Sequence, residues 1–326
     1  MPKYQEKNLD IAVVGLSCVD CIASGSGIQW NVMNPVQDLR LSAGGLGNAL
    51  CTLSGLDLKV GVSSRIGSDI FGDFLRHYWD EIGVDTSGVV VDPCKKTGFS
   101  FILDHGTERT PFYSAGSNDA FCLDDIPGDF IEDSRCMLIF FAGALPSLDG
   151  TPMLELVKRC HDAGTAVIMD VSDGTGADYS SIISYLPYAN LIINSEEARR
   201  ITDEDTPLGA LRRLDESWGE NGMVRGVTRK SGVTLSVPSP EGRRHPDIMS
   251  PFFGLPVATV IGAGDAFRAG LAAYICLHYD DFRSGALDYR AAGLFASTVA
   301  YLHLGRIRDV RPFGVDDVDR LLRDVS

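Results

Sequence analysis

Nowhere in the 326 residues does an apolar run approach the roughly 18 residues that would suggest a membrane span. The first sixteen residues lack a long apolar core behind a basic start, so no secretory leader is expected there. Basic residues are scarce. Lys and Arg total 29 against 44 Asp and Glu, and the formal charge of −15 opposes nonspecific binding to nucleic acid or to an anionic membrane. The six histidines show no metal-type pairing, and H-E-x-x-H, G-x-S-x-G and the P-loop pattern G-x-x-x-x-G-K-[ST] are all missing. No repeat, low-complexity segment or Pro/Gly/Ser-rich linker divides the chain, which therefore reads as one domain. These absences leave a cytoplasmic protein with a small-molecule ligand. If that ligand carries phosphates, the whole-chain charge will not attract it, and local backbone amides, a few bases or a divalent cation must do so.

Cysteine is present but has no framework. Cys18, Cys21, Cys51, Cys94, Cys122, Cys136, Cys160 and Cys276 are scattered through apolar or small-residue surroundings, the pattern of reduced, mostly buried thiols. Cys18 and Cys21 make one C-x-x-C, open to a redox or zinc reading, but no second pair completes a tetrahedral site. With 44% hydrophobic residues there is ample material for a core.

Short apolar runs alternate with helical patterns. "DIAVVGL", "CMLIFFAG", "AVIMDVS", "NLIIN" and "MVRGVT" suit buried parallel strands, while "GNALCTLSGL", "IFGDFLRHYWDEIG", "TPMLELVKRCHDAG", "EEARRIT" and "PLGALRRLDESWG" suit the helices between them. This order predicts a layered α/β sheet with helices on both faces. Residues 22–41 and 88–115 break the rhythm, with alternation and turn residues but little helical period, and predict a small β lid projecting from that sheet.

"TVIGAGDAFRAG", residues 259–270, concentrates the chemistry. Its sixth position from Gly262 is Phe267, which excludes a dinucleotide fingerprint. Gly262, Ala263 and Gly264 would leave the amides at a helix start open to phosphoryl oxygens, where any larger side chain would block the approach. Asp265 has two readings, a helix-capping acid that favours the dipole, or a general base beside an anion hole.

Gly262-Ala263-Gly264-Asp265-Ala266-Phe267 resembles the C-terminal signature of the PfkB family, the ribokinase-like sugar and nucleoside kinases. Further blocks follow the family's order: "SAGGLGNAL", "RIGSDIFGDFL", "EIGVDTSGV", "NLIINSEEA" and "VTRKSGVTL". The resemblance implies a three-layer α/β/α domain with a mostly parallel sheet and a β lid, and an enzyme that uses ATP and magnesium. It gives Asp265 the role of catalytic base and Gly262, Ala263 and Gly264 that of the anion hole. Asn194 and Glu197 would stand near magnesium and the phosphates, partly through water, with Thr228 and Gly232 bordering the nucleotide. Asp20, Gly44, Gly45 and Asn48 would hold the acceptor. Taken singly, each of these also has a bland reading as a cap, a strand end or a turn.

Three departures qualify what the resemblance implies. Thr259-Val260-Ile261 stands where many members carry a leading Asp, which counts against a monovalent-cation site. "GGLGN" has one residue fewer before Asn48 than the usual G-G-x-x-x-N, unless Ala43 replaces the first Gly. "DVSDG", from Asp170, lacks the Arg that some members place against an acidic sugar. The expected activity is phosphorylation of a small sugar. A nucleoside kinase, with Trp30, Phe101, Phe112 and Tyr113 stacking on a base, and a noncatalytic binding relative are the alternatives. Lid edge strands could pair two copies into a homodimer.

Overall fold

The computed structural model describes residues 7–25, 31–104, 109–171, 181–218, 223–250, 262–305 and 313–323. In chain order, its strands are β1 (Leu9–Gly15), β2 (Ser17–Ser24), β3 (Asp38–Gly45), β4 (Val60–Gly67), β5 (Asp85–Asp92), β6 (Gly98–Asp104), β7 (Arg109–Ser114), β8 (Ser134–Ala142), β9 (Ala166–Val171), β10 (Asn190–Asn194), β11 (Arg225–Arg229), β12 (Gly232–Ser239), β13 (Gly242–Arg244) and β14 (Asp247–Met249). The helices are α1 (Gly47–Leu53), α2 (Ile70–Glu81), α3 (Gly128–Glu132), α4 (Thr151–Ala163), α5 (Ile182–Tyr185), α6 (Ser195–Thr202), α7 (Pro207–Trp218), α8 (Ala263–Leu277), α9 (Tyr279–Ser284), α10 (Tyr289–Leu304) and α11 (Val315–Arg323).

The main sheet runs β13-β12-β11-β10-β9-β8-β1-β4-β5, with β14 also on β12. From β11 to β5 every neighbouring pair is parallel, and only β12 to β14 run antiparallel. Strand alternation explains the helices on both faces. Ile11 and Val13 enter a core with Leu50, Trp79, Phe267 and Val299, whereas Ala12 and Val14 enter a second core with Phe130, Leu156 and Leu211. The expected α/β/α layering follows, because each apolar sheet face is covered by helices. Among the described residues, no helix is long and apolar enough to cross a membrane.

A separate four-stranded sheet, β3-β2-β6-β7, forms the lid. Its boundaries correct the expected 22–41 and 88–115. The first lid strand begins at Ser17, with only Leu16 between it and β1, and the second ends at Gly45. The strand Asp85–Asp92 belongs instead to the edge of the main sheet, parallel to β4. Composition hides both boundaries, since β1 and β2 form one apolar stretch and β5 has the alternation of a half-exposed strand.

Candidate active site

The parallel strands end on one edge of the sheet, where ligand sites of α/β folds form. The N-terminus of α8 lies at this edge. Gly262 is its N-cap, with φ +80°, and its carbonyl accepts from the Ala266 amide at 2.9 Å. A side chain at this position would meet His303 Nε2 at 2.7 Å and Asn48 Cγ at 2.9 Å. Glycine is thus required by both conformation and space. The first-turn amides of such a helix have no intrahelical acceptor.

Asp265 does not cap the helix, because the N-cap is Gly262 and no side-chain cap bond is made. Its Oδ2 accepts from Asn48 Nδ2 at 3.1 Å, across 217 residues of sequence. Its Oδ1 lies 3.5 Å from Arg268 Nη1, one helical turn further on. The carboxylate is therefore held by another element and a cation, which favours the base reading over the capping one.

Asp20 sits on β2, only 8% exposed. Cys18 Sγ donates to its Oδ1 at 3.3 Å. Burial pushes its carboxyl up from the ordinary value; bonds from Cys18 and Ser100 oppose this, the Asp265 charge adds to it, and Arg109 opposes it. On the neighbouring strand, a methyl on Gly44 would overlap the Asp20 carboxylate. The glycine makes the room that Asp20 fills. Gly45 has φ +61°, and a methyl on it would overlap the Leu16 carbonyl at the turn into α1.

Asn194 is the N-cap of α6. Its Oδ1 accepts from the Glu196 and Glu197 amides at 2.9 Å each, while Glu197 accepts from the Asn194 amide at 2.8 Å and from Asn194 Nδ2 at 2.6 Å. This reciprocal capping box is a structural reason for both residues. Thr228 lies in β11, its hydroxyl donating to the Ile193 carbonyl at 3.3 Å. Gly232 opens β12 with φ +142°, and a methyl there would overlap the Ile248 carbonyl. The resemblance's leading-acid position, Thr259, lies outside the described residues, as do Trp30 and Ser172 to Gly174.

A cavity of about 460 Å³ lies elsewhere, among Thr165, Tyr188, Met223, Pro238, Arg283 and Tyr289. Thr165 and Met223 precede β9 and β11, so it opens at the opposite edge of the sheet, away from the residues above.

Residues 8–308 match the family model described as pfkB family carbohydrate kinase. The chain belongs to that family. An uncharacterized sugar kinase of Pyrococcus horikoshii is 26% identical over 310 residues, covering 90% of this chain and 89% of its own. The 5-dehydro-2-deoxygluconokinase of Listeria monocytogenes is 23% identical over 320 residues, 93% of each chain. The crystal structure of fructokinase with bound ATP from Xylella fastidiosa superposes with a TM-score of 0.77 at 21% identity, over 97% of this chain and 98% of that one. The ribokinase-like fold and small lid expected from the sequence are those of such neighbours.

Two residues of this kinase escaped sequence reasoning. Arg268, 4% exposed, donates from Nε to the Ile192 carbonyl at 2.9 Å and places Nη2 2.7 Å from Asp170 Oδ1. Its sequence signal was a lone charge inside "AFRAGLAAYICL". Asn118, fully buried, donates to the Ser17 carbonyl at 2.8 Å and accepts from the Ser17 amide at 3.0 Å, pinning the start of the lid. Nothing in the local pattern points to it.

Proposed function

We propose that this carbohydrate kinase transfers the γ-phosphoryl group of ATP to a hydroxyl of a small sugar, with Asp265 as general base. The observation that carries the reading is the Asn48–Asp265 hydrogen bond, which joins the acceptor loop to the start of α8. The sugar lies against Asp20, Gly44, Gly45 and Asn48, with one hydroxyl aimed at Asp265. Asp265 takes that hydroxyl's proton as the oxygen–phosphorus bond forms and the bond to the β,γ-bridging oxygen breaks, releasing ADP. The open amides at Gly262, Ala263 and Gly264 stabilise the charge on the transferring group. Closure of the lid excludes water as a competing acceptor. ATP-bound neighbours, the Xylella fastidiosa fructokinase among them, support the choice of nucleotide.

Among the described residues no three acidic, His or Cys side chains converge as a complete metal site. Magnesium keeps much of its water and needs only one or two carboxylates besides phosphate. Asn194 and Glu197 would hold it, partly through water, with Thr228 and Gly232 along the nucleotide. When bound, the cation neutralises charge on the phosphates.

The sugar reading is favoured over a nucleoside by the lid register. Asp20 pairs with Ser100 and Ser100 with Tyr113, so these share the inner face, while Phe101 and Phe112 pair on the outer one, their rings 6.4 Å apart. Among the described members of that set, Tyr113 alone shares the face of Asp20 and is available to stack on a base. The outer face also exposes Leu41 (50%) and Phe112 (48%), which supports pairing with a second copy through the lid. Eight free thiols and the need for ATP fit a cytoplasmic location.

The test is acceptor-dependent ADP release over pentoses, hexoses, ketohexoses and nucleosides, with Asp265→Asn alongside. Turnover with one sugar, lost in the variant, is expected. Binding of ATP and sugar without ADP formation would leave the noncatalytic reading.

A further inference from the structure

Arg268 brings together groups that the proposed reaction keeps on opposite sides. In an α-helix the side chain leans toward the N-terminus, so an arginine one turn after Asp265 returns beneath it. The buried guanidinium reaches three acids from three elements. Nη1 is 3.5 Å from Asp265 Oδ1 on α8, Nη2 is 2.7 Å from Asp170 Oδ1 on β9, and Nη2 is 3.8 Å from Glu197 Oε2 on α6. Nε is fixed on the β10 carbonyl of Ile192 at 2.9 Å. A Cβ built on Gly264 would lie 3.1 Å from Nη1, so the same group also underlies the anion hole.

A lysine could not copy this, because only a planar fork donates in several fixed directions at once.

We infer that Arg268 is a positioning residue, whose guanidinium fixes Asp265 on the acceptor side and Glu197 on the nucleotide side to a common frame anchored by Asp170. This rests on Asp265 being the base. Burial pushes the Asp170 carboxyl well above its ordinary value; the Arg268 charge opposes this, and the neighbouring Glu197 and Asp265 charges add to it.

Removing Arg268 alone would strand Asp170 in the interior, and the fold could fail for that reason only. The decisive variant is therefore Arg268→Met combined with Asp170→Asn, which removes both partners of the pair at similar volume. The expected result is a folded enzyme with a melting temperature near that of the wild type, KM for sugar and ATP little changed, and kcat lower on the order of 10- to 100-fold, the scale of a misplaced catalytic group. In the Asp265→Asn background the same pair of changes should cost a much smaller factor, because the group being positioned is already disabled. A purely structural role would give equal factors in both backgrounds.

A folded double variant with wild-type kcat overturns the inference. If the double variant does not fold, Arg268→Lys decides, since it keeps a charge against Asp170 but loses the fork; wild-type kcat there also overturns it, and a lowered kcat at unchanged KM supports it. Asp265→Asn measured alone separates the two claims. Full turnover in that variant sinks the base reading itself, whereas loss in Asp265→Asn with full turnover in the Arg268 variants sinks only the positioning role.

Discussion

The two halves of the proposed site are built differently. On the acceptor side, Asp20 occupies space that Gly44 leaves empty, and Asn48 spends its amide on Asp265, 217 residues away. Neither arrangement is needed to finish a helix or a strand. On the nucleotide side every candidate has a local structural reason. Asn194 and Glu197 cap α6 reciprocally, Thr228 bonds its neighbouring strand, and Gly232 avoids the Ile248 carbonyl. A residue with a complete structural explanation supplies little independent support for a chemical role. The acceptor half consequently carries more of the functional argument, although its Gly-Gly loop is the one that departs from the family's spacing.

The largest effect expected is at the junction of the halves. Asp265→Asn keeps the shape and the Asn48 contact but loses the base, and turnover should fall by at least the ~10²-fold typical of general-base loss while ATP affinity holds. Near-normal turnover, measured by coupled ADP release, would remove the acceptor half's advantage altogether.

A pair of glycine substitutions tests the contrast directly. Gly44→Ala places a methyl on the Asp20 carboxylate, and is expected to raise the sugar KM on the order of tenfold, the cost of disturbing one polar contact to a substrate. Gly232→Ala places a methyl on a backbone carbonyl at φ +142°, and should cost on the order of 3 kcal/mol in stability with KM values unchanged. Urea unfolding and steady-state kinetics on both variants check this. If Gly232→Ala changed ATP KM at intact stability, the nucleotide half would have gained its own functional evidence.

A smaller effect is expected at the cap of α6. Asn194→Ala removes acceptors for two amides and should cost about 1 kcal/mol, as other lost N-caps do. A rise in ATP KM beyond that stability loss would show a second role, and stability loss alone would leave Asn194 a cap.

How far the sequence discloses this architecture depends on whether a feature is local. β1, β8, β9 and β10 are readable because a strand buried on both faces must be largely apolar. β4 is less so. Ser63 and Ser64 interrupt it, yet both are fully buried, and the Ser64 hydroxyl donates to the Gly15 carbonyl and accepts from the Ser17 hydroxyl, each at 2.7 Å. That polarity makes sense only once β1 and the lid root are beside it. The motif glycines and Asp265 are visible for the same reason as the apolar strands, since their requirement is short-range. Arg268 and Asn118 were hidden because their partners come from β9, β10 and the lid, tens of residues away. The lid boundary at Leu16 is likewise a tertiary event within one apolar stretch.

The smallest effect concerns pH and returns to Asp20. Burial, with the Asp265 charge adding, pushes its carboxyl above the ordinary value. In the unfolded chain an Asp titrates near 3.9, about where the native residue still holds its proton. The stabilisation is thus fully present below that point and is lost as pH rises through the folded value, with a slope of at most about 1.4 kcal/mol per pH unit for one proton. Asp20→Asn removes this contribution. Across a urea series starting near pH 4, the wild type should therefore gain stability relative to the variant on acidification, and a flat difference would mean that the Asp20 carboxyl is bathed in water and the acceptor pocket is not sealed. Sugar hydroxyls that donate to Asp20 favour its charged form, so sugar binding should release the proton and sugar affinity should rise with pH across the same window. A pH-independent affinity in the wild type would detach Asp20 from the acceptor and return the advantage to the nucleotide half.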